Sequence, residues 1–297
     1  MVRPVNYLFC RYVIEAEDEN LGAAAEFNLI AENQGGEFAH GREKDGTQPQ
    51  TLCTDPVQFE LERQRGHSFE IGFKPGVRIH QIYDEDKKKK VRRMERDDHT
   101  KFGHVVTFPE LGAMAVRDRT SDDTIGALQT LNAMKSLVRG ISDGEGQMEV
   151  RHASEEDLLH ALETWKVEEY SFTARPLNPT GTDLAKMRTE MLKSENVFQE
   201  RGVMKAPPGE GLTRANGTLG QTYDLYKDGY AQIGFKGHTE DGHSASIPKP
   251  VFSQDKRKNL EARDSKPRYL KLSFSREAYE DDVTDKVAAA LLRFYSR

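Results

Sequence analysis

Apolar and polar positions alternate most sharply from Val167 to Arg175. Tyr170, Phe172 and Ala174 fall on one side of an extended segment, and Glu169, Ser171, Thr173 and Arg175 on the other. Aromatic rings on one face and polar groups on the other predict a half-buried strand. Pro176 and Pro179 stop it, because neither can donate to a ladder, and Asn178-Pro179 reads as a turn. Thr180 or Thr182 is placed to cap a following helix, with Asp183 in its first turn. Leu184, Met187, Met191 and Leu192 recur at helical spacing. The rings of Tyr170 and Phe172 are therefore expected against Leu184, Met187 or Met191.

The same reading extends along the chain. Strands are expected at Tyr7–Glu15, Val57–Arg63, Ser68–Phe73 and Val77–Tyr83, with a short helix at Leu21–Glu32. His104–Pro109 and Gly112–Arg119 read as a strand pair, followed by a helix from about Thr124 to Arg139. After a short strand at Met148–Arg151, Ser154 and Asp157 have the spacing of a capping box for a helix reaching Trp165. Phe198–Gly220 is expected as loop, Thr222–Tyr226 and Gly229–Phe235 as a hairpin, and Ser244–Ile247 and Tyr269–Phe274 as strands. An amphipathic helix over Arg276–Tyr295 closes the chain.

These elements predict an α+β fold with mainly antiparallel sheets and helices packed on one face. Ser142–Gln147, SDGEGQ, is the best linker. It divides the chain into α+β regions at 1–142 and 143–297, or serves as a connection within one continuous domain.

Composition narrows the class. Apolar residues are 36% and charged residues 31% of the 297, which is polar for a folded protein, yet the periodic runs require a core. The net charge of −6 argues against a general basic coat. No run reaches membrane-spanning length, and the start is expected not to be a signal peptide. Cys10 and Cys53 are the only cysteines, so no disulfide framework is expected; reduced thiols in a cytoplasm are.

Candidate chemistry is sparse. The chain lacks a Walker A loop, a strand-linked GxGxxG, a GxSxG and an HExxH. The expectation is a protein without a cofactor, with one opening for a divalent metal. His238, Asp241 and His243 surround a hairpin turn and bring imidazole and carboxylate donors to it. His99 and His104 repeat the spacing. Asp84–Asp98 is a mixed charge run of net +1, read as a solvated hairpin tip or loop, or as a binding loop. Lys249–Lys271 differs: eight Lys or Arg face three acids, a local +5. Lys256, Arg257, Lys258, Arg263, Lys266 and Arg268 are its candidate nucleic-acid contacts, the competing reading being a solvated loop.

Lys166 to about Pro250 resembles a bacterial domain family of unknown function found near phage-defence genes. The features that carry it are Arg175-Pro176-Leu177-Asn178-Pro179, then Gly229-Tyr230, Gly237, Asp241-Gly242, Ser246, Pro248 and Pro250. The family pattern reads Arg-Pro-Asn-Pro, and Leu177 is inserted here. The resemblance implies a cytoplasmic bacterial protein acting in antiviral defence.

Two functions follow. One is a non-enzymatic binding component whose partner is nucleic acid, another protein or a second copy of the chain, away from any membrane. The other is a metal-dependent nuclease or other hydrolase using His238, Asp241 and His243.

Overall fold

The computed structural model describes residues 4–16, 19–20, 22–43, 47–84, 88–97, 99–151, 153–176, 182–213, 217–249, 269–275 and 283–296. Along the chain these form β1 (Val5–Ala16), β2 (Glu19–Asn20), α1 (Ala23–Glu32), β3 (Phe38–Ala39), β4 (Gln50–Leu61), β5 (Gln64–Lys74), β6 (Gly76–Asp84), β7 (Lys89–Asp97), β8 (Lys101–Phe108), β9 (Ala113–Arg117), α2 (Ala127–Ile141) and β10 (Gln147–Arg151). There follow α3 (Glu155–Thr164), β11 (Lys166–Ala174), α4 (Asp183–Ser194), β12 (Glu200–Lys205), α5 (Thr218–Lys227), β13 (Ala231–His238), β14 (Ser244–Ile247), β15 (Leu270–Phe274) and α6 (Val283–Tyr295). The fold is α+β, and among the described residues the ladders inside each of its compact units run antiparallel.

Two compact units result: Met1–Arg151 with Ser275–Arg297, and His152–Phe274. The division falls after Arg151 rather than after Ser142. The reason is β10, which pairs with β1 from Arg11↔Arg151 to Glu15↔Gln147 and so belongs to the first sheet. Ser142–Gln147 is a helix-to-strand connection, tightened where Ser142 Oγ accepts from the Gly146 amide at 2.6 Å. The closing helix also belongs to the first unit, because α6 packs on β8 and β9.

In the first unit the strands run β1-β9-β8-β5-β4-β3, with β2 and β10 also on β1. Both faces are covered. On one, Gly103 of β8 lies under Thr130 of α2, so closely that a Cβ there would meet Oγ1 at 2.2 Å. On the other, Arg11 places its guanidinium 4.7 Å from the Tyr295 ring centroid of α6. Double coverage explains why β8 and β9 bury residues of both parities, including Val105, Val106, Ala115 and Val116. Strands β6 and β7 form a separate two-stranded ribbon, in register from Gly76↔Asp97 to Asp84↔Lys89. Much of the mixed charge run is thus β-strand and not loop.

The second unit orders its strands β12-β11-β13-β14-β15. Helix α5 packs on β11 and β13, and α4 packs on α5. The capping box of α3 is present: Ser154 Oγ accepts from the Asp157 amide at 3.1 Å, and Asp157 Oδ2 accepts from the Ser154 amide at 2.9 Å. Thr182 caps α4, its hydroxyl accepting from the Ala185 amide. The alternative cap Thr180 and the expected Asn178-Pro179 turn lie outside the described residues.

Tyr170 and Phe172 are buried as the alternation requires, but the helical stripe is rotated from the expected one. Met187 and Met191 are exposed, while Ala185, Arg188, Thr189 and Leu192 face inward. Arg188 lays its guanidinium 5.7 Å from the Phe172 ring centroid and pairs with Glu200 on β12. A long arginine stem thus covers the ring where a methionine was expected. Tyr170 meets α5 instead, its hydroxyl 2.9 Å from Thr222 Oγ1. Residues 218–227, expected as loop and strand, form α5, because Leu219, Thr222 and Leu225 make a helical stripe over the sheet. Part of the expected 198–220 loop is the edge strand β12, which lines up Gly202 with Phe172.

Replacing Phe172 with Ala should destabilise the second unit by about 3–5 kcal/mol, the range for an aromatic removed from a packed core. Denaturant titration of the intact protein checks this, and Met187→Ala on the exposed side of α4 should leave the midpoint nearly unchanged.

Candidate functional site

The sequence-derived candidates fall in two places. Lys256, Arg257, Lys258, Arg263, Lys266 and Arg268 lie outside the described residues. Lys249 and Lys271, at the borders of the same basic segment, are described: Lys271 lies on β15, and Lys249 lies just past β14.

His238, Asp241 and His243 surround the β13–β14 hairpin turn, closed by the Thr239 amide on the His243 carbonyl at 2.9 Å. The turn does not gather them into a ligand set. His238 Nδ1 lies 3.1 Å from Glu168 Oε1 on β11, where the register shifts between Val167 and Glu169. The His243 ring packs 4.6 Å from that of Phe274. Asp241 is exposed. Among the described residues, no three His, Cys, Asp or Glu side chains stand close enough to hold a metal ion.

Two buried polar clusters lie one on each face of the first unit's sheet; of their members only His104 is a sequence-derived candidate, and its expected companion His99 instead contacts Asp123 at 3.2 Å. On the α6 face, His104 places Nε2 2.8 Å from Ser68 Oγ and Nδ1 2.8 Å from the Tyr7 hydroxyl. Beside it Arg117 holds Glu70 at 3.2 Å. Burial raises the Glu70 pKa against the pull of Arg117. The serine–histidine contact has the distance of a nucleophile and its base. Its electrostatics forbid that use: burial, assisted by the Arg117 charge, drives His104 down to about 3. An imidazole that weakly basic does not take a proton from a hydroxyl near neutrality. It is a neutral donor and acceptor joining β1, β5 and β8.

On the other face Glu26 of α1 is buried and accepts from the Tyr12 hydroxyl at 2.6 Å and from Thr107 Oγ1 at 3.0 Å. His67 lies opposite Thr107, with Nδ1 3.5 Å from Glu26 and neither ring nitrogen hydrogen-bonded. Cavities of about 400 Å³, lined by Tyr12, Glu26 and Glu110, and about 480 Å³, lined by Phe27, Phe59 and Arg65, adjoin α1. Both Glu26 oxygens are committed to protein hydroxyls, which makes the cluster an anchor for α1. The thiols are inert for a related reason: burial pushes Cys10 up to about 12 and Cys53 up to about 11. No sequence motif marks either cluster; Glu26, His67, Ser68 and His104 meet only through strand register and helix docking.

The second unit offers the more open surface. Tyr170, Phe172, Ile233 and Phe235 turn toward the helices. The alternate positions form the opposite face, where cross-strand pairing aligns Arg201 with Thr173 and Gln232, and Val203 with Ser171 and Gly234. A further row runs Lys205, Glu169, Lys236, Ser246 and Lys271. Glu169 is bridged by Lys236 at 2.7 Å and Lys205 at 3.4 Å, and its hydrogen bond from Lys236 holds its carboxyl below the usual range. Lys249 reaches the same face, its Nζ 2.9 Å from Thr173 Oγ1. Five cations thus share one face with Glu169.

No protein-family model matches the chain, and no curated protein matches it in sequence. Among the described residues, no helix is long and apolar enough to cross a membrane.

The buried histidine makes acid stability testable. His104 has a folded-state pKa near 3, below its ordinary 6.5, so the unfolded chain binds the extra proton as pH falls. Stability from this group is present above pH 6.5 and is lost toward pH 3, at about 1.4 kcal/mol per pH unit. Denaturant titrations between these limits should show a shallower loss for His104→Gln than for the parent protein.

Proposed function

We propose that the protein is a non-enzymatic binding component that recognises nucleic acid through the face of its second unit's sheet opposite α4 and α5, acting in a bacterial cytoplasm as part of antiviral defence. The observation that carries the reading is the alignment of Arg201, Lys205, Lys236, Lys249 and Lys271 on one sheet face with Glu169 as the acid in their row. The protein is acidic overall, at −6, so a basic face of this kind is a local concentration of charge. Lysines and arginines spread over neighbouring strands suit a chain of phosphates, and attraction to them is long-ranged and independent of sequence. The basic segment Lys249–Lys271 starts and ends on this face, and its sequence carries Lys256, Arg257, Lys258, Arg263, Lys266 and Arg268. The β6–β7 ribbon adds support. Gly76–Asp97 carries eight Lys or Arg against five Asp or Glu, and two-stranded ribbons are marginal alone and fit nucleic-acid grooves.

The setting in defence rests on the family resemblance over Lys166 to Pro250. The hydrolase alternative is weaker, because His238 engages Glu168 and does not converge with Asp241 and His243. A protein partner is the second reading, favoured by the exposure of Met187, Met191, Phe198 and Val203.

Anisotropy titration with labelled RNA and DNA at two salt concentrations tests the proposal. Affinity should fall steeply with salt, and the Lys256→Ala, Arg257→Ala, Lys258→Ala triple variant should have a flatter salt slope with an unchanged fold. The nucleic acid should remain intact with magnesium or manganese present. Equal affinities for parent and triple variant, or no binding at low salt, would favour the protein partner.

A further inference from the structure

Resting on the nucleic-acid reading, we propose that Arg201, Lys249 and the Thr173 hydroxyl form a seat for a single backbone phosphate. Thr173 and Arg201 are direct cross-strand partners on β11 and β12. Lys249 arrives from beyond β14 and donates from Nζ to Thr173 Oγ1 at 2.9 Å. The crossing is built into the sheet. The chain at Lys249 passes so close over Gly234 that a Cβ there would sit 2.3 Å from the Lys249 amide nitrogen, so only glycine admits this path. Gly234 is also tied to β11, its carbonyl accepting from Ser171 Oγ at 3.1 Å. The result is an ammonium held over the middle of the sheet.

Arg201 is oriented as well. With its carboxamide oxygen turned toward the guanidinium, Gln199 accepts from Nε at 3.0 Å and from Nη2 at 3.3 Å. The Arg201 charge reaches Lys249: burial first, and Arg201 second, lower the lysine's pKa. Among the described residues neither cation forms an ion pair. Lys205 and Lys236 on the same face have Glu169 between them. Two cations held together without a carboxylate are an arrangement that an anion relieves, and a hydroxyl beside them supplies a neutral donor. The two rows around the seat, Arg201–Thr173–Gln232 and Val203–Ser171–Gly234, contain no aromatic side chain to stack on a base. Recognition here is of the phosphate and not of the base.

The experiment uses the full-length protein with labelled 12-nucleotide homopolymers of uridine and adenosine, and separately inorganic phosphate followed by NMR. The proposal expects Arg201→Gln with Lys249→Met to weaken oligonucleotide binding by at least about tenfold at low salt and to reduce the salt slope by about 0.7, the value for one phosphate on a single strand. Thr173→Val should have a smaller effect in the same direction, and the two homopolymers should respond alike. Lys205→Met serves as the control for general loss of charge and should cost less than either member of the cation pair. If the double variant, shown folded by its denaturation midpoint, binds like the parent, the seat is wrong while the nucleic-acid reading stands. If the parent binds inorganic phosphate through Arg201 and Lys249 but binds no oligonucleotide, the seat stands as an anion site and the nucleic-acid reading falls. Binding of neither ligand by the parent overturns both.

Discussion

Strand β11 commits every second residue to the core, and the second unit depends on that constraint. It is hydrogen-bonded along both edges, to β12 and to β13, so it cannot slip by one residue without reversing both neighbours. Tyr170 and Phe172 are thereby turned under α5 and α4, where the hydroxyl of one meets Thr222 and the ring of the other lies beside Arg188. The same alternation sends Glu169, Ser171 and Thr173 to the face opposite α4 and α5. Core and candidate site are two sides of one strand, so damage to its register removes both.

The first unit meets a different demand. Its sheet is covered on both faces, and any polar side chain on the inner strands must find partners in a dry setting. His104 with Ser68 and Tyr7 does so on one face, and Glu26 with Tyr12 and Thr107 on the other. Each cluster ties three elements distant in sequence, and a shifted register would strand its polar atoms. The cost shows in His67, whose ring nitrogens lack hydrogen-bond partners although Glu26 lies 3.5 Å away. His104, its pKa driven down by burial, thus joins Ser68 and Tyr7 as a neutral hydrogen-bonding group that fixes the pairing of β1, β5 and β8.

Charge is distributed by the same geometry. Along the sequence, acids and bases mix, and the chain is acidic as a whole. Strand pairing sorts them: Arg188 and Glu200 go to the helical side as a pair, while Arg201 and Lys205, neighbours of Glu200 on the same strand, go to the open side. Placing Lys249 over Gly234 adds a charge to that side from outside the strand set. The proposed phosphate seat is thus a product of tertiary placement laid over a two-residue period.

The sequence by itself determined what depends on local periods and local caps. The β11 alternation, the Ser154–Asp157 capping box, the Thr182 cap and the α+β class were all legible, because period-2 and period-3.6 patterns and cap spacings act over a few residues. It did not determine which helical stripe of α4 turns inward. Apolar spacing favoured Met187 and Met191, but Glu200 on β12 offered Arg188 a partner, and the stem of that arginine covers Phe172. Nor did it determine that 218–227 is helix, since Thr222 and Leu225 suit either period until a sheet lies beneath them. The buried clusters and the Arg201–Lys249–Thr173 arrangement were out of reach for the same reason. Their members come from strands, helices and a crossing segment separated by tens of residues, and only pairing register and packing bring such atoms within hydrogen-bonding distance.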